Sequence, residues 1–215
     1  MPELKDAIPV DLFTPMFKEV RENVVATTVL DFLKKKPKQE PSLSLFIWDE
    51  MVHRGVVPND DKFKIAPVIN NEFKGIYKFV KGELGKDPVS DAYSVEYFNE
   101  VVPDDAFVEV SLAQCFPDDI HIVDVEFSDN RKLIPATDPS SKFRTYKGLH
   151  VFDEFLNRLK GVARGRDVGR ISLIVAWPPL HKVFTRHGFR VSETEMAQRG
   201  YKMAGHGHSM YLPVN

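Results

Sequence analysis

The spacing of hydrophobic positions changes near the middle of the chain. Over residues 13–33, Phe17, Val20, Val24 and Thr28 recur at helical spacing, and Val25, Val29, Phe32 and Leu33 widen the stripe. Thr14 before Pro15 supplies an N-cap and a first-turn proline, and Lys34-Lys35-Lys36-Pro37 supplies a C-terminal stop. The same logic predicts helices over 42–53 (Leu45, Trp48, Val52) and 64–84 (Val68, Ile69, Phe73, Ile76, Phe79, Val80), and a short fourth helix over 93–101. The segment 101–105, Val-Val-Pro-Asp-Asp, reads as a junction.

Beyond it the period becomes two. Residues 106–116 alternate Val108, Val110 and Leu112 against Phe107, Glu109 and Ser111, and residues 118–127 alternate Ile120 and Ile122 against His121 and Val123. A polar loop over 128–141 precedes a strongly periodic helix, in which Leu149, Phe152, Leu156, Leu159 and Ala163 are spaced three or four apart until Gly165. The largely apolar run 171–176 predicts a buried central strand over 170–176; Trp177-Pro178-Pro179 ends it and starts a short helix. A strand from Phe189 to about Thr194, a polar glycine-rich loop and a last strand over 209–214 complete the chain. The expected class is α/β (α+β): a mixed sheet in residues 105–215, preceded by a helical N-terminal region, 1–104.

Composition narrows the function classes. The formal net charge of −2 over 215 residues argues against wholesale attraction to nucleic acid or an anionic membrane. No apolar run approaches a membrane span, and residues 1–10 lack a signal pattern, so the expected location is cytoplasmic. The single cysteine, Cys115, falls on a strand and reads as a small buried hydrophobe. The basic run 34–36 reads as a solvated helix end, and the arginines of 163–170 read as charges at a helix C-terminus.

The stretch Phe184-Thr185-Arg186-His187-Gly188-Phe189 follows a buried strand and turns straight into another. This resembles the aromatic-x-x-x-Gly-Phe segment of the Gcn5-related N-acetyltransferase (GNAT) superfamily. Gly188 would supply a left-handed turn, and Phe189 would fold back into the core. The family's pyrophosphate loop, Arg or Gln, two residues, Gly, one residue, Gly or Ala, has its counterpart in Thr145-Tyr146-Lys147-Gly148-Leu149-His150. Gly148 fits the first glycine, whereas Thr145 and His150 depart from the pattern. The resemblance covers the last half of the chain and implies a mixed sheet of GNAT-like topology there. The first half does not read as the family's strand-helix-helix-strand opening.

The resemblance implies acetyl-CoA or another acyl-CoA as co-substrate and an amine acceptor. It implies cofactor contacts at Val125, Glu126 and Phe127, at Lys147, Gly148, Leu149 and His150, and at Phe184. Many members carry a tyrosine at the position of Phe184 as general acid; phenylalanine has no proton to give. Glu126, on the strand where the family's base lies, Tyr201, and His206 in Gly205-His206-Gly207-His208-Ser209 are the candidate catalytic groups, with His208 a further candidate for lining a cleft. The two histidines have a metal-like spacing, but two ligands do not make a structural zinc site, and none is expected. The implied activity is N-acyl transfer by direct attack. The alternative is a non-catalytic structural or adaptor protein on the same fold.

Overall fold

The computed structural model describes residues 1–17, 19–36, 40–58, 73–101, 106–129 and 150–214. After a 3-10 turn at Leu4–Ala7 and the one-turn helix α1 (Val10–Phe13), the chain forms β1 (Val20–Ala26), α2 (Val29–Lys35), α3 (Glu40–His53), α4 (Phe73–Leu84), β2 (Val89–Asn99), β3 (Ala106–Cys115) and β4 (Asp119–Asp129). The remaining elements are α5 (Val151–Gly165), β5 (Arg170–Ile174), α6 (Pro178–Arg186), β6 (Arg190–Val191), α7 (Glu195–Ala204) and β7 (Ser209–Pro213).

All seven strands lie in one sheet, in the order β1-β2-β3-β4-β5-β7-β6. β1 to β4 pair antiparallel in sequence, β4 runs parallel to β5, and β7 is antiparallel to both β5 and β6. The long α5 between β4 and β5 provides the crossover that a parallel pair requires. This is a mixed sheet, as the sequence of the last half implies.

Three sequence expectations need correction. Residues 13–33 are not one helix: Thr14–Met16 is a 3-10 turn, and β1 occupies the valine-rich middle. Val20 and Val24 fit a helical spacing, but β-branched residues suit a strand, and pairing of Val20 with Asn99 and Val24 with Val95 decides the outcome. Residues 93–101 are not a helix either, since most of them form the end of β2. β2 is buried on both faces, with Val95 and Tyr97 in one core and Ala92 in the other, so its alternation is blurred. Finally, the glycine-rich stretch before the last strand contains α7, capped by Thr194, whose hydroxyl accepts from the Ala197 N–H at 3.3 Å. The N-terminal region therefore carries helices and also two strands of the common sheet, β1 and β2, which its sequence conceals.

Each face of the sheet has its own core. On one face α2, α3 and α4 bring Phe32, Leu43, Ile47, Trp48, Met51, Ile76 and Val80 onto Val89, Ala92 and Cys115. On the other, α5 and the N-terminal segment bring Phe155, Leu159, Phe13 and Leu4 onto Val110, Leu112, Ile120 and Ile171. Cys115 is buried on its strand, as its sequence setting suggests. Close approach fixes Gly165: a Cβ there would lie 2.5 Å from the Pro2 ring. Two arginines of the 163–170 segment are engaged internally. Arg166 donates to the Pro2 carbonyl at 2.8 Å, Asp91 at 2.7 Å and Gln114 at 2.8 Å.

Arg170 is the electrostatic tie between the layers. It donates two bonds to Asp119, at 2.7 and 2.9 Å, and reaches Glu50 of α3 at 3.0 Å. Both carboxylates are buried. Bidentate pairing of this kind offsets much of the cost of desolvating the charges. Arg170→Met leaves two buried carboxylates without that cation, so it should lower unfolding free energy by about 3–5 kcal/mol, measured by urea denaturation at pH 7.

Candidate functional site

β4 and β5 pair for four residues, Asp119 with Arg170 through Ile122 with Leu173. β4 then continues along β3 to Asp129, while β5 ends at Ile174. At the parting point the β3–β4 register shifts: Ser111 faces Asp124 and Leu112 faces Ile122, so Val123 is an extra residue in β4. Such a bulge bends a strand and re-aims the side chains beyond it. The result is a fork whose β4 arm, residues 123–129, turns an edge away from β3 with no β5 partner. Backbone groups on an unpaired edge can bind an extended amide-bearing ligand.

Val125 and Phe127 project to the α5 side of this arm, where the Phe127 ring lies 6.2 Å from Phe155. Phe155, Phe152 and Phe184 continue the aromatic cluster, with Phe152 and Phe184 centroids 6.0 Å apart. Phe184 is buried there and packs on Phe189 at 5.8 Å. Gly188, at φ +91°, makes the left-handed turn between them, so the Gly-Phe turn takes the shape its sequence implies.

Glu126 points to the other side and is exposed. It ends a cross-strand row, since Glu96 faces Glu109 and Glu109 faces Glu126. The Lys36 ammonium bonds Glu109 and approaches Glu96 at 3.4 Å, holding the first two like charges together. The lysine run thus ends in a sheet-bound cation, which its composition does not reveal.

At the start of α5, His150 adopts a left-handed conformation (φ +51°) as N-cap. Its Nδ1–H donates to Asp153 at 2.7 Å, and the other Asp153 oxygen lies 3.1 Å from Nδ1 of His187. Asp153 and Glu154 place carboxylates in the helix's first turn. Lys147, Gly148 and Leu149 lie outside the described residues.

Tyr201 and His206 fall near a third group. Tyr201, exposed on α7, stacks on His181 of α6 with centroids 4.7 Å apart, and its ring meets that of His208 edge-on at 5.2 Å. His206 is exposed on the turn before β7, whereas His208, two residues on, is buried. Nε2 of His208 is 3.2 Å from Nδ1 of His181. The backbone places His208 at the fork: the Val175 N–H donates to its carbonyl at 3.0 Å, and the Gly207 N–H donates to the Val175 carbonyl at 2.6 Å. Beside it lies a cavity of about 180 Å³ whose walls include Phe46, Asp49 and Ile174. Glu126 belongs to the carboxylate row and Tyr201 to the histidine group. Asp49 and His181 carry no motif in the sequence; His181 meets His208 through that hydrogen bond, and Asp49 lines the same cavity.

Below the fork, His121 is fully enclosed, stacked on Phe46 at 4.4 Å and bonded to Ser172 at 2.9 Å. Burial pushes its imidazole down to about 3, while burial pushes the Asp119 carboxyl up to about 6 against the pull of Arg170. In the unfolded chain His121 titrates near its ordinary 6.5, so the stability of its neutral folded form is lost as pH falls from about 6.5 towards 3. Asp119 acts oppositely: the folded state takes up its proton first, offsetting part of that loss between about 6 and 3.8. His121→Gln should therefore flatten the fall of the urea midpoint between pH 7 and 4, compared with the unsubstituted protein.

No protein-family model and no curated protein sequence matches the chain. Solved structures that resemble it include nourseothricin acetyltransferase, at 18% identity and a TM-score of 0.36, covering 58% of this chain; the chain spans 66% of that protein's length. A GNAT-family acetyltransferase from Staphylococcus aureus Mu50 is 10% identical, with a TM-score of 0.38 over 92% of this chain and 100% of its own. The PaiA N-acetyltransferase from Thermoplasma acidophilum, in complex with coenzyme A, is 10% identical, with a TM-score of 0.35 over 91% of this chain and 99% of its own.

Proposed function

We propose that the protein is an acyl-CoA-dependent N-acyltransferase that transfers its acyl group directly to an amine. The observation that carries this reading is the fork. β4 leaves β5 after Ile122, and the bulge at Val123 turns a strand edge that no described strand pairs towards the gap. A pantetheine arm has two amides and an extended shape, which suits such an edge. Backbone groups of Val125, Glu126 and Phe127 would pair with it, and the Phe127–Phe152–Phe184 cluster would flank it on the α5 side.

The pyrophosphate would sit on residues 147–150, ahead of α5, where helix amides favour anions. Asp153 and Glu154 oppose an anion at that end, so the reading relies on Lys147 and on His150, which shares Asp153 with His187. Rate would come mainly from holding the amine against the thioester and from polarising its carbonyl. Glu126 and His206 are candidate bases and Tyr201 a candidate acid for the departing thiolate; Phe184 cannot serve as one. In this reading residues 105–215 carry the thioester side, and α3, within 1–104, walls the acceptor side.

Calorimetric titration with acetyl-CoA and with CoA tests the reading. Both should bind and raise the melting temperature, and ligand at one hundred times its dissociation constant should add about 2.7 kcal/mol of stability. No heat and no thermal shift at millimolar ligand would favour a non-catalytic protein on this fold.

A further inference from the structure

A second cavity, of about 340 Å³, lies at the far end of α5 from the fork, between residues 3–5 and the start of β2. The aromatic cluster of the fork packs on the first turns of α5 through Phe152 and Phe155. Arg166 caps the other end of this helix, about 22 Å further along at 1.5 Å per residue.

Arg166 and Asp91 form the polar wall of the cavity. The β2–β3 register shifts between Val89 and Asp91, so Ser90 is an extra residue in β2. That bulge turns Asp91 to the sheet face on which Tyr93 and Val95 join the α5 core. Asp91 and Gln114, opposite each other on the two strands, both accept from Nη1 of Arg166, at 2.7 and 2.8 Å, while Nε donates to the Pro2 carbonyl. These bonds use three of the five guanidinium N–H groups. The other two, on Nη2, meet no acceptor among the described residues. Nη2 is not sealed: the 5% of this side chain that stays accessible includes it, and the side chain lines the cavity. A buried guanidinium with one open edge suits a carboxylate.

Asp91 sets the opposite charge beside that edge. Its Oδ1 accepts the Ala92 N–H at 2.9 Å and its Oδ2 accepts from Arg166, and each oxygen has a lone pair for a further donor. At the mouth Lys5 pairs with Glu3 at 2.5 Å; both are more than half exposed, so the pair is weak and can open to a ligand. Among the described residues the wall holds two cations and two carboxylates, which gives a simple anion or a simple cation no net attraction. Leu4 and Tyr93 add apolar surface.

We propose that this cavity binds a free α-amino acid with an apolar side chain. The ligand carboxylate accepts from Nη2 of Arg166, and its ammonium donates to Asp91. The two groups share one carbon, which matches two opposite charges that are themselves hydrogen-bonded side by side. Lys5 and Glu3 close over the same two groups, and the ligand side chain rests on Leu4 and Tyr93. The site stands whether or not the fork holds a thioester.

The test titrates the full chain, without acetyl-CoA, with L-leucine and L-phenylalanine, by calorimetry and by backbone amide NMR shifts. At least one of the two should bind at millimolar concentration or below and move the amides of Leu4, Lys5, Ala92 and Tyr93, leaving those of Phe127 and Phe184 in place. Isoamylamine and 4-methylpentanoate, each lacking one charge of leucine, should bind at least tenfold more weakly than leucine if leucine binds; phenethylamine and 3-phenylpropanoate serve the same purpose for phenylalanine. Asp91→Asn, which keeps the side-chain shape, should weaken amino-acid binding at least tenfold. No binding of either amino acid at millimolar concentration would overturn the proposal, as would amide shifts confined to the fork. A deaminated or decarboxylated analogue that binds as tightly as its parent would overturn the zwitterion assignment, and so would undiminished binding to a folded Asp91→Asn protein. If that variant does not fold, the analogues and the shift map on the unsubstituted protein still decide.

Discussion

Four residue pairs hold the two parts of the sheet together. Asp119 to Ile122 against Arg170 to Leu173 is the seam between the antiparallel β1–β4 and the three strands β5, β7 and β6. Both parts have tight connections of their own, but among the described residues the sheet is continuous only through this short parallel ladder. A parallel ladder is also slightly weaker per residue than an antiparallel one. The side chains along it compensate: Arg170 binds Asp119 on the neighbouring strand and Glu50 on α3, and His121 bonds to Ser172 across the pair. The seam can therefore end at Ile122 and leave the fork open, because its closed end is held by charge and hydrogen bonding as well as by the backbone.

The elements legible in the sequence are those whose burial leaves one unambiguous period. α5 has a narrow apolar stripe facing one core, and β5 is a short run buried on both sides. Gly188 stands where the chain needs positive φ. The elements that mislead are those where pairing overrides local pattern. β1 is an edge strand with mostly exposed side chains, so its valines carry no alternation of burial. β2 is central, and its aromatic and β-branched residues alternate between two apolar layers rather than between core and water. α7 follows a dense set of polar residues whose capping role at Thr194 becomes plain only once Asp49 is seen to accept the same hydroxyl's proton.

The site is less legible than the fold. A bulge at Val123 exists only relative to β3, and the carboxylate row across Glu96, Glu109 and Glu126 joins residues from three strands. The pair His206 and His208 shows the difficulty in miniature: the two lie two residues apart on one turn, yet one is exposed and the other is enclosed between α6 and α7. Chain proximity suggests a shared role, and the turn separates their environments. Asp49 and His181 have ordinary helical contexts, and no local signal distinguishes them.

The start of the chain has a structural weight that its loose secondary structure conceals. Leu4, Ala7, Ile8 and Phe13 are core residues, Asp11 takes two bonds from Arg158 at 2.7 and 3.0 Å, and the Pro2 carbonyl takes one from Arg166. These contacts strap α5 along its length, from the middle to the last turn. Met1, by contrast, is 91% exposed. A purification tag fused ahead of Met1 would hang in solvent, whereas trimming the first dozen residues would unbuckle the helix whose leading end faces the proposed phosphate site.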